Sequence, residues 1–505
     1  MTAFEFRPRA LAAEERLLPA RESASPHTPR PRRSRRRSAD GDDGLPATEL
    51  GNAERLVAQH GDDLRYCAAM RTWLVWDGRR WSADDTAAVE RFAKETVRSI
   101  YAEAEHERDE KRRTKLGAHA VGSERASKIE AMITLARSDE RIVVQPRELD
   151  ADPYLLNVLN GTIDLRTGAL RPHRRADLLT RLAPSEFDPG ARSERWETFL
   201  FESTGADPGL LTFLQRVAGY SITGTTSEEV LVMIIGPTAS GKTTFVESFK
   251  AALGDYAATA DFETFLAKRE GGIRNDIARL VGKRIVVGVE VDHGRRLAEA
   301  LIKLMTGGDT VTARELYRDF FEFRPTAKLW LVANDRPRVG DDDAMWRRIR
   351  VVPFDHPVPK ERRDPQLKLA LREQEPERAA VLAWAVAGCL RWQDEGLGTA
   401  PVIERATSAY REDMDPLAPF LEERCALEPD ASATVSELYA AYRSFALAQG
   451  DRPITLNDLA RRLSGQGIHG TKGARGVRLR RGIRLLDQQL LHANDGRSEH
   501  EVPAW

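Results

Sequence analysis

The sequence predicts an α/β fold, with a parallel sheet in the middle third of the chain and smaller units on either side. Three observations predict it. The run Glu229-Val-Leu-Val-Met-Ile-Ile-Gly236 is short, continuous and apolar and stops at a glycine, as a strand buried on both faces should. The helical stretch Thr244-Phe-Val-Glu-Ser-Phe-Lys-Ala-Ala-Leu253 follows almost at once and is stopped by Gly254. Two further apolar runs, Lys283-Arg-Ile-Val-Val-Gly-Val-Glu290-Val-Asp292 and Lys328-Leu-Trp-Leu-Val-Ala333, have the length and composition of strands.

From the amino end, residues 1–45 read as a disordered basic tail: Arg30-Pro-Arg-Arg-Ser-Arg-Arg-Arg37, then Asp40-Gly-Asp-Asp43, with no apolar periodicity. The arginine run suits either a tether to DNA phosphates or a solvated linker. Residues 46–145 read as an α+β unit of unknown role. A helix is expected over 52–60, then two aromatic strands around an Asp-Gly turn in Trp73-Leu-Val-Trp76-Asp-Gly78-Arg-Arg-Trp81, then charged helices over 84–137. Its tryptophans fit a core by their strand spacing, or a platform for stacking bases. Residues 150–226 read as a collar or linker: a hairpin in Tyr154-Leu-Leu-Asn-Val-Leu-Asn160-Gly161-Thr-Ile-Asp-Leu-Arg-Thr167-Gly168, followed by helices over 193–219.

The loop between the first strand and its helix carries the chemistry. Gly236-Pro237-Thr238-Ala239-Ser240-Gly241-Lys242-Thr243 fits G-x-x-x-x-G-K-[ST], with Thr244 entering the helix. Glycines let successive backbone N–H groups point inward at phosphates, Lys242 reaches the terminal phosphates, and Thr243 suits Mg²⁺. The helix aims the positive end of its dipole at the same anion. ATP and Mg²⁺ are the expected cofactors. The second strand ends in Glu290 and Asp292, which extended geometry puts on one face. Such a pair serves a metal site and water activation, with the two roles unassigned between them. Asn334 follows the third strand where open parallel sheets place ligand groups, and an amide there can orient water. Then come Asp341-Asp-Asp-Ala-Met-Trp-Arg347-Arg348-Ile-Arg350-Val-Val-Pro-Phe354, a turn and an arginine cluster running into another strand. An arginine here suits a finger on a neighbouring subunit's nucleotide.

These elements, in this order, resemble superfamily 3 helicases, and in detail the phage and plasmid primase/helicase family related to the poxvirus primase-helicase. The matching pieces are the phosphate loop, Gly282-Lys-Arg-Ile-Val-Val-Gly-Val-Glu290, Lys303-Leu-Met-Thr-Gly307-Gly308-Asp309, Phe320-Phe-Glu-Phe-Arg-Pro325, Leu331-Val-Ala-Asn334 and Trp346-Arg-Arg-Ile349. The resemblance implies an AAA+-like P-loop ATPase core over 227–358, a helical collar before it, and a C-terminal winged-helix domain. It also implies a homo-oligomeric ring, usually a hexamer, with nucleotide at the subunit interfaces and single-stranded DNA in the pore. By position Arg348 is the first choice for the finger and Arg347 the second. Residues 310–323 alternate like a hairpin and match the family's pore hairpin, with Arg314, Tyr317 and Arg318 as DNA contacts: a cation and an aromatic at a tip grip a strand without reading its sequence. The first 150 residues hold no Asp-x-Asp pair on a strand, so priming is expected from a separate primase or polymerase.

Residues 359–428 read as a helical lid or linker, 429–487 as the winged-helix unit and 488–505 as a tail. Helices are expected over 435–445 and 454–463 and a basic hairpin over 470–484. Between Arg461 and Arg484 there are Arg461, Arg462, Lys472, Arg475, Arg478, Arg480, Arg481 and Arg484 without one acid. That asymmetry suits duplex DNA.

Composition limits the classes. The 77 basic and 78 acidic residues nearly cancel, so a nucleic-acid role has to come from such local clusters. Cys67, Cys389 and Cys425 lie far apart, which argues against a disulfide frame and a zinc site. No apolar run approaches the roughly 18 to 20 residues of a membrane span, and a soluble cytoplasmic protein is expected. The function these readings support is an ATP-dependent DNA helicase in phage, prophage or plasmid replication. The alternatives are an ATP-regulated origin-binding initiator and a DNA packaging or defence ATPase.

Overall fold

The computed structural model describes residues 45–486, apart from 267–274, 290–295, 315–319, 341, 416, 450–452 and 473–476. The N-terminal unit opens with α1 (Glu49–His60), capped by the Thr48 hydroxyl, and a three-stranded antiparallel sheet of β1 (Leu64–Cys67), β2 (Thr72–Trp76) and β3 (Trp81–Ala83). Helices α2 (Ala88–His106), α3 (Glu110–Ser123) and α4 (Ala126–Ala136) follow. Leu56, Val89, Val97, Met132 and Ile142 close one core there, and Trp81, Cys67 and Leu74 a second, smaller one. Trp81 is fully buried with Arg65 over its ring, and Trp76 packs against it at 5.7 Å. These two rings are core.

The collar hairpin is β4 (Leu155–Val158), β5 (Gly161–Asp164) and β6 (Ala169–Arg171), then α5 (Glu194–Ser203) and α6 (Pro208–Ser221). Both helices begin on side-chain caps, Ser193 and Asp207 accepting from the N–H three residues on. The central sheet comprises β7 (Leu231–Ile235), β8 (Ala257–Asp261), β9 (Ile285–Val289), β12 (Lys328–Ala333) and β13 (Ile349–Pro353). Between them lie α7 (Lys242–Leu253), α8 (Asn275–Ala278), α9 (Glu299–Thr306), the hairpin β10 (Val311–Arg314) and β11 (Phe320–Phe323), and α10 (Asp343–Trp346). All five strands are parallel in the order β13-β7-β12-β9-β8. The chain leaves β7 through α7 for the far edge, at β8, and later returns to the opposite side of β7 as β13. The crevice beyond the carboxyl end of β7 therefore lies at a reversal of strand order, where open sheets bind ligands.

Each face of the sheet has its own core. On one, Val232, Ile234, Phe245, Trp330 and Val352 pack with collar residues Leu156, Trp196 and Phe213 and with α12 (Glu375–Glu395), which follows α11 (Leu367–Glu373). The segments 150–226 and 359–428, separate in the sequence reading, thus share one core with the sheet. The contact of α6 with α12 is close enough that a Cβ on Gly219 would lie 2.0 Å from the Cys389 nitrogen. On the other face, Leu231, Met233, Leu301, Met305, Leu331 and Trp346 pack with Tyr410 of α13 (Pro401–Asp413).

Two buried cations tie collar to sheet. Arg284 stacks on Tyr256 and donates to the carbonyls of Ile222 and Leu155, and Lys328 donates to the carbonyls of Thr223, Thr225 and Thr326. Burial lowers the pKa of both, that of Lys328 well below the usual lysine range.

The C-terminal unit has a separate core around Phe420, Leu438, Tyr442, Leu459 and Ile483. It contains α14 (Ala418–Arg424), β14 (Cys425–Ala426), β15 (Ser432–Thr434), α15 (Val435–Ala448), α16 (Leu456–Gly465), β16 (Gly470–Lys472), β17 (Arg478–Arg481) and β18 (Arg484–Leu485). Strands β15, β17 and β16 form an antiparallel sheet in that order. A Thr434–Glu437 capping box starts α15. No helix among the described residues is long and apolar enough to cross a membrane.

Candidate nucleotide-binding site

The loop of residues 236–241 leaves β7 at the aligned carboxyl ends of the sheet, where Ile235 is paired with both Ala333 and Pro353 and Val332 with Val289. Its glycines are required by contact. A Cβ on Gly236 would meet the Phe354 carbonyl oxygen at 2.1 Å, so only glycine lets β13 and the loop lie this close. Gly241 has φ +92°, and a Cβ there would lie 2.5 Å from Ser203 Oγ and 2.8 Å from Phe199 Cε2. It N-caps α7 with no side chain bonded to the first-turn amides. A helix that starts this way leaves N–H donors aimed at the loop's interior.

Lys242 is buried, and its ammonium donates to the carbonyls of Gly236 and Pro237, each at 2.7 Å. Burial lowers its pKa. Ser240 is buried with its hydroxyl on the Pro237 carbonyl at 2.9 Å, which braces the turn from inside. Thr243 is exposed and Thr244 half-buried. The loop's residues Pro237, Thr238 and Ala239 complete the span, Ala239 in a left-handed conformation at φ +66°.

Asn334 directly follows β12 and is exposed, one strand spacing, about 5 Å, from the start of the loop. Glu290 and Asp292 follow β9 in sequence but lie outside the described residues, as do Tyr317 and Arg318. Arg314 ends β10, paired with Phe320 of β11.

The two finger candidates sit at the other end of the sheet. They precede β13, whose first residue, Ile349, pairs with Leu231 at the start of β7. Five strand residues at about 3.3 Å each put them roughly 16 Å from the loop of residues 236–241. They also differ from one another. Arg348 is buried, its guanidinium on Glu229 at 2.6 Å, Thr306 Oγ1 at 3.2 Å and the Ala344 carbonyl at 2.6 Å. Arg347 keeps 67% of its side chain exposed, 3.7 Å from the same carboxylate. The sequence ranked Arg348 first; the structure makes Arg347 the one that faces outward.

The basic C-terminal residues divide likewise. Lys472, Arg478 and Arg481 are exposed, and Arg461 is largely exposed with Asp458 at 3.2 Å. Arg462 turns inward to Asp415 at 2.9 Å, and Arg480 is buried on Ser464 Oγ and the Ile468 carbonyl. Arg475 lies outside the described residues.

Sequence reasoning passed over two segments that wall the loop. The end of α5 brings Phe199 and Ser203 against Gly241. Beyond β13, the Val358 N–H donates to the Ala239 carbonyl at 3.1 Å, and His356 packs over Gly205. Arg362 of this segment pairs with Glu202. No motif marks these residues, and only the path of the chain brings them to the loop.

Residues 53–205 match a family model described as D5 N terminal like, and residues 234–348 match a family of unknown function. Over 214 residues the chain is 30% identical to "Putative helicase L207/L206" of Acanthamoeba polyphaga mimivirus, covering 41% of this chain and 22% of that one. Over 319 residues it is 25% identical to "Putative primase C962R" of African swine fever virus, covering 58% of this chain and 33% of that one. The chain thus spans between about a fifth and a third of the length of these relatives. In fold it is similar to the apo structure of the NrS-1 C terminal region, with TM-score 0.51 at 11% identity, over 86% of this chain and 100% of that one. Residues 53–205 are thus similar to the D5 N terminal like family, and the chain is similar to viral proteins named "Putative helicase" and "Putative primase", in agreement with the resemblance its motifs carry.

Proposed function

We propose that this chain is an ATP-dependent DNA helicase motor of superfamily 3, acting in phage, prophage or plasmid DNA replication as a homo-oligomeric ring, a hexamer by its family resemblance. The observation that carries the proposal is the division of the sheet. The phosphate loop with Lys242 and Gly241 stands at the carboxyl edge beside Asn334, and the outward-facing Arg347 stands at the amino edge. An arginine about 16 Å from its own loop, and facing solvent, suits a neighbour's nucleotide, which makes hydrolysis a property of the ring.

In this reading the sheet, the loop and α7 are an AAA+-like P-loop core. Loop amides and Lys242 hold the phosphates of ATP, and Thr243 with one of Glu290 and Asp292 would hold Mg²⁺, which would neutralise phosphate charge. Asn334 orients the attacking water while the other acid takes its proton. Arg347 meets the charge that develops on the neighbour's phosphate, and Arg348 holds Arg347's turn in place through Glu229. The turn of the β10–β11 hairpin, with Arg314, Tyr317 and Arg318, grips a single strand in the pore. Helices α15 and α16 with the sheet β15-β17-β16 form a winged helix that meets duplex DNA through Lys472, Arg478 and Arg461, with Arg475.

The exposed cations of the C-terminal unit also favour a second reading, an origin-binding initiator in which ATP sets assembly. Purified protein should hydrolyse ATP faster with single-stranded DNA, and Lys242→Ala should abolish hydrolysis. Full hydrolysis by Lys242→Ala would overturn the proposal. Strong preference for one duplex sequence over bulk DNA would favour the initiator.

A further inference from the structure

Ser203 ends α5 with its side chain against the phosphate loop, one helical turn beyond Phe199, so that both touch the space beside Gly241. It is fully buried, and its Oγ has no hydrogen-bond partner. Its neighbours behave otherwise. Thr204 places its hydroxyl on the Leu200 carbonyl at 2.8 Å, Ser221 on the Val217 carbonyl at 2.7 Å and Ser240 on the Pro237 carbonyl at 2.9 Å. A hydroxyl withdrawn from water with nothing in return marks either an idle defect or a group that bonds in another state of the site.

The loop supplies the other state. Lys242 spends its ammonium on the Gly236 and Pro237 carbonyls, and to hold a phosphate it releases them. A loop that cradles phosphate turns its N–H groups inward. In a trans peptide N–H and C=O point in opposite directions, so turning the Gly241 N–H toward the anion turns the Ser240 carbonyl outward. Outward at Gly241 is where Ser203 stands.

We propose that Ser203 is a positioning residue of the nucleotide site, its hydroxyl donating to the Ser240 carbonyl when the loop closes on phosphate. This rests on the reading of 236–243 as the nucleotide site. It also gives α5 a direct contact with the state of that site. Trp196, on the same helix, stacks on Phe245 of α7 at 5.6 Å and meets Trp384 of α12 edge-on at 5.4 Å, so a shift of α5 is passed to both helices.

The test is Ser203→Ala in the full chain, read by melting temperature without nucleotide and by titration with Mg-ADP and Mg-ATP. The nucleotide-free protein should melt no lower than wild type, since the substitution removes a hydroxyl that has no partner. Nucleotide affinity should fall about three- to tenfold, the worth of one hydrogen bond. Unchanged affinity would overturn the inference, with or without a rise in melting temperature, and leave the nucleotide site standing. Wild-type protein that binds neither nucleotide would instead overturn the function it rests on. Should Ser203→Ala fail to fold, Ser203→Cys keeps the shape with a weak donor, and the same affinity criterion decides.

Discussion

Replacing Gly241 by alanine separates two costs that the structure assigns to this position. The backbone lies at φ +92°, where a residue with a Cβ loses about 1 to 2 kcal/mol. The Cβ would also press on Ser203 Oγ at 2.5 Å and on the Phe199 ring at 2.8 Å, and overpacking a filled site costs about 1 to 3 kcal/mol more. Gly482 is the internal control. Its φ is also +92°, and a Cβ there would meet nothing within 4 Å, so Gly482→Ala should show the conformational cost alone. Thermal melts should place Gly241→Ala several degrees below Gly482→Ala, and nucleotide titration should find binding lost in the first and kept in the second. Equal melting temperatures, or normal nucleotide affinity in Gly241→Ala, would refute the claim that α5 and the loop are packed to contact at this glycine.

The two adjacent arginines should separate in the same way. Arg348→Ala removes a buried guanidinium with its hydrogen bonds to Glu229, Thr306 and the Ala344 carbonyl and should cost about 1 to 3 kcal/mol in a melt, whereas Arg347→Ala should melt like wild type, bind nucleotide and fail to hydrolyse it. In the C-terminal unit, Lys472→Ala and Arg478→Ala should each weaken duplex binding and lower the slope of log affinity against log salt by about 0.9, while Arg480→Ala should lower stability instead. Burial pushes the Cys389 thiol up to about 12 and that of Cys425 up to about 11, so both stay protonated at pH 8. Iodoacetamide at that pH should modify neither until the protein is unfolded, and rapid labelling of native protein would contradict their burial.

What the sequence showed plainly was whatever is written locally. The strand before Gly236, the loop and the helix after it were legible because glycine, lysine and a short apolar run act on their immediate neighbours. The β4–β5 hairpin was readable for the same reason. What depended on distant partners was not. Arg347 and Arg348 look alike in a string. They are told apart by Glu229, more than a hundred positions away, which draws one guanidinium inward. Arg480 and Arg462 counted as members of a basic stripe until Ser464 and Asp415 claimed them. The collar read as a unit apart from the sheet because the partners of its helices lie far along the chain. Yet Trp196 closes on Phe245 and Trp384, residues of two other segments, and one core results. Ser203 had no motif to announce it at all.

Strand displacement on a forked DNA duplex with purified full-length protein tests the central claim most directly. ATP should drive separation of the strands, and the displacement should vanish in Lys242→Ala and in Arg347→Ala, though the latter still binds nucleotide. Robust ATP hydrolysis by wild-type protein without displacement of either strand on forks of either tail polarity would contradict the helicase assignment.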